Sequence, residues 1–244
     1  MIGYSKKNLH HFIGPKSKPG SLGVSYRGVY NKIISPDSNG MGEIAVRSRN
    51  VFMGYHKDEA KTKEAFQDGW FRTGDLGQLD DQGLMWLVGR LKELIITSGG
   101  ENIPPVPIEN RIKLALPNLL SNVMVIGDQR KYLTCLVTIK CKVDGNTQPT
   151  CDLDAEALAF CKKITGKDIK TVEDAKKSDE VNEVIKEALT KANLEATANP
   201  HKVQKFTILP MDFSLSGGEL GPTLKLKRHF VMQKYCKTID EMYQ

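Results

Sequence analysis

Residues 89–110 read GRLKELIITSGGENIPPVPIEN, and the character of the chain changes within them. Before them come short apolar runs between turn signals, the last being LMWLV at 84–88. After them come longer amphipathic stretches. Within them, ELIIT at 93–97 reads as one more short strand. Gly99-Gly100 reads as a turn, or as a place where backbone lies close to a ligand. Pro104, Pro105 and Pro107 precede IENRIKLAL, and proline suits the first helical turn. Arg90 supplies a planar five-donor cation that keeps its charge. The plain alternative for 89–97 is a hairpin with exposed basic residues. The division predicts an α+β chain: a β-rich piece at 1–91 and an α+β domain at 92–244.

Working upstream, GEIAVRS at 42–48 sets Ile44 and Val46 against Glu43, Ala45 and Arg47, the pattern of a half-buried strand. Residues 57–67 read as a short polar helix. Residues 1–40 are rich in Gly, Pro, Ser and Lys, with strand-like pieces between turns. Downstream, residues 122–126 and 132–140 read as two strands, the second placing Leu133, Cys135, Val137 and Ile139 on one face. Residues 152–163 predict a helix. Residues 179–196 predict another, with Val181, Val184, Ile185, Ala188, Leu189 and Ala192 on one stripe, ended by Asn199-Pro200. The insert at 142–200 reads as surface helices. VQKFTIL then predicts a strand, followed by a glycine-rich loop and a basic helix.

Composition removes several classes. At about 150 residues per domain, 244 residues allow one large or two smaller domains. With 40% apolar and 26% charged residues there is enough for a core, which excludes wholesale disorder. No apolar run approaches the ~18 residues of a membrane-spanning helix, and MIGYSKKNLHHF carries no secretory h-region. The net charge of +6 is concentrated: residues 1–36 hold six cations (Lys6, Lys7, Lys16, Lys18, Arg27, Lys32) and no acid. The rest is neutral, so no basic nucleic-acid surface is spread over the fold, and no aromatic residues interleave with Lys or Arg along one stripe. The five cysteines (135, 141, 151, 161, 236) lack C-x-x-C spacing. They indicate neither a zinc site nor a disulfide framework, and read as reduced thiols of a cytoplasmic protein.

Two further stretches could carry chemistry. In DGWFRTGDLG, 68–77, a glycine precedes Asp75, whose carboxylate could accept two hydrogen bonds from a diol; the alternative is a plain turn. In GGELGPTLKLKRH, 217–229, three glycines loosen a loop that carries Lys225, Lys227 and Arg228, a set suited to a polyanion. The alternative is a basic helix N-terminus, although cations there oppose the helix dipole unless an anion accompanies them.

In this order and spacing the motifs resemble the C-terminal portion of the adenylate-forming, AMP-binding enzyme superfamily of acyl- and aryl-CoA ligases. The resemblance covers nearly the whole chain. Gly42-Glu43-Ile44 with Gly54-Tyr55, DGWFRTGDLG, GRLKELIITSGGEN with Ile108-Glu109, and PTLKLKR each match a family segment. GGENIPPVPIE and GGELGPTLKLKRHFV are most similar to the bubblegum-type long-chain fatty acid–CoA ligases. The resemblance implies a β-rich fragment of the large AMP-binding domain followed by a small mobile lid domain. It implies that Asp75 accepts hydrogen bonds from the ribose of ATP or AMP, that Arg90 holds the ribose and phosphate side, and that Lys92 is the hinge. Lys227 would be the catalytic lysine between the fatty carboxylate and the α-phosphate, four residues after Thr223 as the family pattern requires, with Lys225 as its rival. Gly99, Gly100 and Glu101 would lie near CoA.

The family's phosphate loop of the YTSGTTG type is absent from the 244 residues, as is its Y-G-x-(S/T)-E motif, whose glutamate helps hold Mg2+. The expectation is therefore a fragment, truncated product or isoform that does not adenylate fatty acid alone, with Mg2+ held by residues outside it and no metal site of its own. A second expectation is a non-catalytic lid that binds nucleotide, CoA or a full-length ligase. An aryl-CoA ligase or luciferase-like enzyme is disfavoured by PTLKLKR, which lacks S-G-K. The substrates implied are fatty acid, ATP and CoA. The setting implied is cytoplasmic, with peripheral contact to endomembranes and no nucleic-acid partner.

Overall fold

A computed structural model describes the backbone of residues 9–10 and residues 18–145, 148–196 and 198–244. The basic-leader cations Lys6, Lys7 and Lys16 lie outside the described residues. The chain divides into two compact units, 1–94 and 95–244.

The first unit is built on one antiparallel sheet. Its strands are β1 (Leu9–His10), β2 (Val24–Ser25), β3 (Val29–Ile34), β4 (Gly42–Ser48), β5 (Phe66–Gln67), β6 (Trp70–Leu79) and β7 (Met85–Arg90), with helix α1 (Glu59–Ala65) between β4 and β5. The main sheet runs β3-β4-β6-β5, with β7 also on β6; β1 and β2 pair apart from it. Helix α1 is shorter than the 57–67 expected. Asp58 caps it through the Lys61 amide at 3.0 Å, and Phe66 and Gln67 turn back to pair with Phe71 and Trp70. The turn between them is Asp68-Gly69, both at positive φ (51° and 76°), the geometry that suits the right-handed twist of a two-residue hairpin.

Strand β4 departs from the half-buried pattern expected of it. Ile44 and Val46 pack with Met85 in an apolar cluster, but Glu43 and Ala45 are buried as well. On their side the pairing Tyr30↔Arg47 and Ala45↔Arg72 assembles a face of aromatic and basic side chains. Lys32 lies 4.4 Å from the Trp70 ring centre, and Arg47 lies 4.9 Å from Trp70 and 5.4 Å from Tyr30. This corrects the expectation that aromatic and basic residues do not interleave. They come from three strands, so no linear stretch displays them.

The second unit holds strands β8 (Ile95–Ile96), β9 (Asn102–Ile103), β10 (Leu120–Ile126), β11 (Leu133–Ile139), β12 (Cys141–Val143), β13 (Pro149–Leu153) and β14 (Val203–Ile208). Its helices are α2 (Pro105–Ala115), α3 (Ala155–Thr165), α4 (Val172–Lys177), α5 (Asp179–Leu194), α6 (Arg228–Lys234) and α7 (Cys236–Glu241). The central sheet is β10-β11-β14, with β11 antiparallel to β10 and parallel to β14. Every residue of β11 is buried. Leu133, Cys135, Val137 and Ile139 face one cluster with Ile108, Ile112, Val181 and Ile185. Leu136 faces the other way, toward Met124, Phe213, Val231, Ile239 and Met242. On that side Thr138 donates to Asp212 at 2.5 Å and Thr134 to the Tyr243 hydroxyl at 3.1 Å, which satisfies buried hydroxyls that would otherwise destabilise the strand.

The insert at 142–200 is therefore not a set of surface helices. A parallel pair needs a crossover connection of a dozen or more residues, and α3, α4 and α5 are that crossover. Ala157, Cys161, Val172, Ala175, Val181, Ile185, Ala188, Leu189 and Ala192 are all buried against the sheet. Helix α5 stops at Leu194, five residues before Asn199. Arg111 donates to the Glu195 carbonyl at 2.7 Å, and the Asn193 amide exchanges two 2.9 Å bonds with Val203. Side chains, rather than Asn199-Pro200, end it. The Asn-Pro pair starts a separate turn at Asn199–His201.

Cysteine chemistry follows from this packing. Burial pushes the Cys135 thiol far up, Cys161 to about 11, and Cys141, aided by the Asp212 charge, to about 12. Cys151 and Cys236 are exposed. Because the thiolate is the reacting form, iodoacetamide at pH 8 is expected to label Cys151 and Cys236 in the folded chain and the other three after unfolding. Peptide mass mapping checks this; rapid labelling of Cys135 in the native state would contradict the burial of β11.

Candidate functional site: a bulged strand and a lysine hairpin

In the first unit, the segment whose plain alternative was a turn is an irregularity inside β6. Pairing with β4 runs Glu43↔Leu76 and resumes at Ala45↔Arg72, so Thr73, Gly74 and Asp75 bulge out opposite Ile44. A bulge of this kind re-aims a side chain. Gly74 sits at φ +70°, which a side chain would strain. Several polar groups hold the bulge. Thr73 donates to the Ile44 carbonyl at 2.7 Å and accepts the Asp75 amide at 3.0 Å. The Gly74 amide reaches Glu43 at 3.0 Å, and Arg72 Nε reaches the same carboxylate at 2.7 Å. Glu43, to which the sequence reading gave no task, thus braces the turn that presents Asp75.

Asp75 is 5% exposed. It stands opposite Arg90 in the β6–β7 register, and Arg90 Nε lies 2.8 Å from its Oδ1. The Arg90 side chain is 52% exposed. Lys92 belongs to a short 3₁₀ turn, Leu91–Glu93, just ahead of the boundary at 94/95. Residues 89–93 are thus a strand end and a turn, not a hairpin.

In the second unit, Gly99, Gly100 and Glu101 cap the β8–β9 hairpin. The Gly100 amide bonds to the Thr97 carbonyl at 2.9 Å, and the Glu101 amide to Thr97 Oγ1 at 3.2 Å. All three are exposed.

Residues 219–227 form a second hairpin that the sequence did not announce. Leu220 and Leu226 bridge, the Gly221 amide bonds to the Lys225 carbonyl at 2.8 Å, and the Lys227 amide bonds to the Glu219 carbonyl at 2.7 Å. Leu224, near its tip, is in the left-handed region at φ +57° and is 67% exposed. Leu226 packs inward, so Lys225 and Lys227 project from the opposite face. Lys225 lies beside the tip, and Lys227 lies at the base and leads into α6.

Arg228 takes no part in a free cluster of three cations. Its guanidinium grips Glu109 of α2 with both arms, at 2.7 and 2.5 Å, and Glu109 Oε1 also accepts the Val125 amide at 2.8 Å. Both side chains are largely buried. This is the anion that a cationic helix start calls for, and it comes from 119 residues away in sequence.

Among known proteins, residues 92–159 match the family model described as the AMP-binding enzyme C-terminal domain. The fold is that of adenylate-forming enzymes. The adenylation domain of a carboxylate reductase from Mycobacterium chelonae superposes with a TM-score of 0.68 at 20% identity, over 90% of this chain and 32% of that one. The corresponding domain from Segniliparus rugosus, solved with AMP and a co-purified carboxylic acid, gives 0.65 at 23% identity, over 88% and 31%. The chain thus shares the fold of adenylate-forming enzymes, and its residues 92–159 match the C-terminal domain of AMP-binding enzymes.

In sequence the chain is similar to curated long-chain-fatty-acid–CoA ligases. It is 48% identical to ACSBG1 of Bos taurus over 92% of this chain and 31% of that protein, and 47% identical to ACSBG2 of Gallus gallus over 91% and 30%. The chain spans about 31% of the length of the first of these relatives.

Proposed function

We propose that this chain is the C-terminal segment of a long-chain fatty acid–CoA ligase and supplies the ribose-holding strand and the mobile lysine of that enzyme. The observation that carries the reading is the braced bulge at 73–75, which holds a buried carboxylate beside an arginine. The first unit, which ends at residue 94 rather than at the 91 expected from the sequence, is then the end of the large AMP-binding domain, and the remainder is the lid.

In the complete enzyme a fatty carboxylate oxygen attacks the α-phosphorus of ATP and pyrophosphate leaves. The CoA sulfur then attacks the acyl carbon and AMP leaves. Asp75 takes the ribose hydroxyls. Arg90 rotates from its carboxylate to admit the sugar, and the ribose hydroxyls then donate to the buried carboxylate in place of the guanidinium. It then faces the ribose and phosphate. Lys227 offsets the repulsion between carboxylate and phosphate. Both steps use one site, so the lysine departs before CoA arrives, with Lys92 as hinge and Gly99, Gly100 and Glu101 approaching CoA. Mg2+ is assigned to residues outside this chain; among the described residues no group of three or more His, Cys, Asp or Glu converges to hold a metal. We place the protein in the cytoplasm, with peripheral contact to endomembranes because long-chain acids partition there.

Calorimetric titration of the chain with AMP and with a non-hydrolysable acyl-adenylate analogue tests the reading. Binding is expected, with at least a tenfold loss in Asp75→Ala, and the chain alone is expected to form no acyl-CoA. Binding that Asp75→Ala leaves unchanged would refute the ribose assignment. No binding at all would favour the non-catalytic lid.

A further inference from the structure

The lysine hairpin is tied to α6 by a single buried carboxylate. Glu219 is 2% exposed. Its Oε1 accepts Lys234 Nζ at 2.5 Å and the Tyr235 hydroxyl at 3.2 Å, and its Oε2 accepts the Ser214 amide at 3.3 Å. Its backbone carbonyl accepts the Lys227 amide. One residue therefore grips Lys227 directly and, through its side chain, the helix that begins after Lys227, about two turns further on. Burial opposes ionisation of Glu219, but Lys234 and the N–H donors outweigh it and hold the carboxyl below its ordinary value. Burial, aided by the Glu219 charge, raises Tyr235 to about 12, so it remains a donor.

One detail bears on the space around this carboxylate and another on the hairpin that it anchors. A Cβ at Gly217 would stand 2.2 Å from Glu219 Oε2, so only glycine leaves room. The Leu224 conformation is one that non-glycine residues hold only when their surroundings over-determine it, and the paired base of the hairpin does so. A buried carboxylate paired with a partly exposed lysine is a poor device for stability alone, since its desolvation offsets much of the attraction. It is a good device for fixing direction.

We infer that Glu219 is a positioning residue for Lys227: with Lys234 and Tyr235 it fixes the hairpin base, and so the direction from which the ammonium enters the adenylation site. This rests on the reading of Lys227 under the proposed function. The lysine is used in one half-reaction, so the effect should be confined to that half-reaction.

The test has two parts. In the 244-residue chain, amide exchange by NMR should show at least a tenfold faster exchange at Lys227 and Gly221 in Glu219→Gln, with β10 and β11 unchanged. In an enzyme assembled from this chain and the large adenylation domain of a bubblegum-type relative, Glu219→Gln should lower kcat for acyl-adenylate formation at least tenfold. KM for ATP, and the transfer of preformed acyl-adenylate to CoA, should stay within twofold. Equal loss in both half-reactions, or loss in neither, overturns the proposal. Should Glu219→Gln not fold, Tyr235→Phe removes one donor and should show a smaller loss, again in adenylation alone. Lys227→Ala runs alongside. If it too leaves adenylation intact, the lysine assignment has failed; if it abolishes adenylation while Glu219→Gln does not, the positioning claim alone has failed.

Discussion

Lys227→Ala, in the assembled enzyme, is expected to slow acyl-adenylate formation by about 100- to 1000-fold, the usual cost of removing one fixed charge or donor from a transition state of this kind. Lys225→Ala should cost less than tenfold. The two lysines project from the same face of one short hairpin, so solvent exposure does not separate them. Attachment does. The Lys227 amide is held at 2.7 Å by the Glu219 carbonyl, and the next residue is locked onto Glu109. Lys225 sits next to Leu224 at an exposed tip. A charge must be in a fixed place before the reaction to stabilise developing charge without reorganisation; the Lys225 carbonyl also accepts a hairpin bond, but only Lys227 adjoins a residue locked to another element. Single-turnover assay of pyrophosphate release checks it. A larger loss in Lys225→Ala than in Lys227→Ala would transfer the role to the rival.

Arg228→Met is expected to lower the stability of the second unit by about 3–5 kcal/mol, because it leaves the Glu109 carboxylate buried without its cation. The double variant Glu109→Gln/Arg228→Met should recover most of this. It removes both charges, and the glutamine oxygen still accepts the Val125 amide, whose orphaning would itself cost about 1–3 kcal/mol. Urea unfolding followed by circular dichroism gives both values, and the cycle should yield a coupling of at least about 2 kcal/mol. If Arg228→Met unfolds within about 0.5 kcal/mol of the parent, the pair is an ornament of the surface and α6 is held by its apolar face.

What could be read from the sequence was what repeats or sits close along the chain. The stripe of α5 announced both its helix and its buried face. The alternation in β11 named the four of its residues that face one core cluster, and Asp75 and Arg90 could be singled out because their neighbours along the chain are distinctive. What could not be read depends on partners far apart. Glu109 and Arg228 looked like a motif residue and a spare cation. Glu43 looked like one polar position of a half-buried strand, though its carboxylate braces the bulge 31 residues on. The basic and aromatic face drew Tyr30, Lys32, Arg47 and Trp70 from three strands. One clue was available: Asp68-Gly69 is a hairpin signal, and would have moved Phe66 and Gln67 from helix to strand.

The doubly covered strand β11 sets a timetable for synthesis. Its first face can close once the crossover and β14 have emerged, by about residue 208. Its second waits for Ile239, Met242 and Tyr243, whose bond to Thr134 spans 109 residues. Until those residues clear the ribosome, Met124 and Leu136 face water on a nascent chain whose sheet is otherwise built. Apolar surface exposed in that interval is what chaperones bind and what seeds aggregation. Helices α6 and α7 thus seal a face that β10, β11 and β14 leave open.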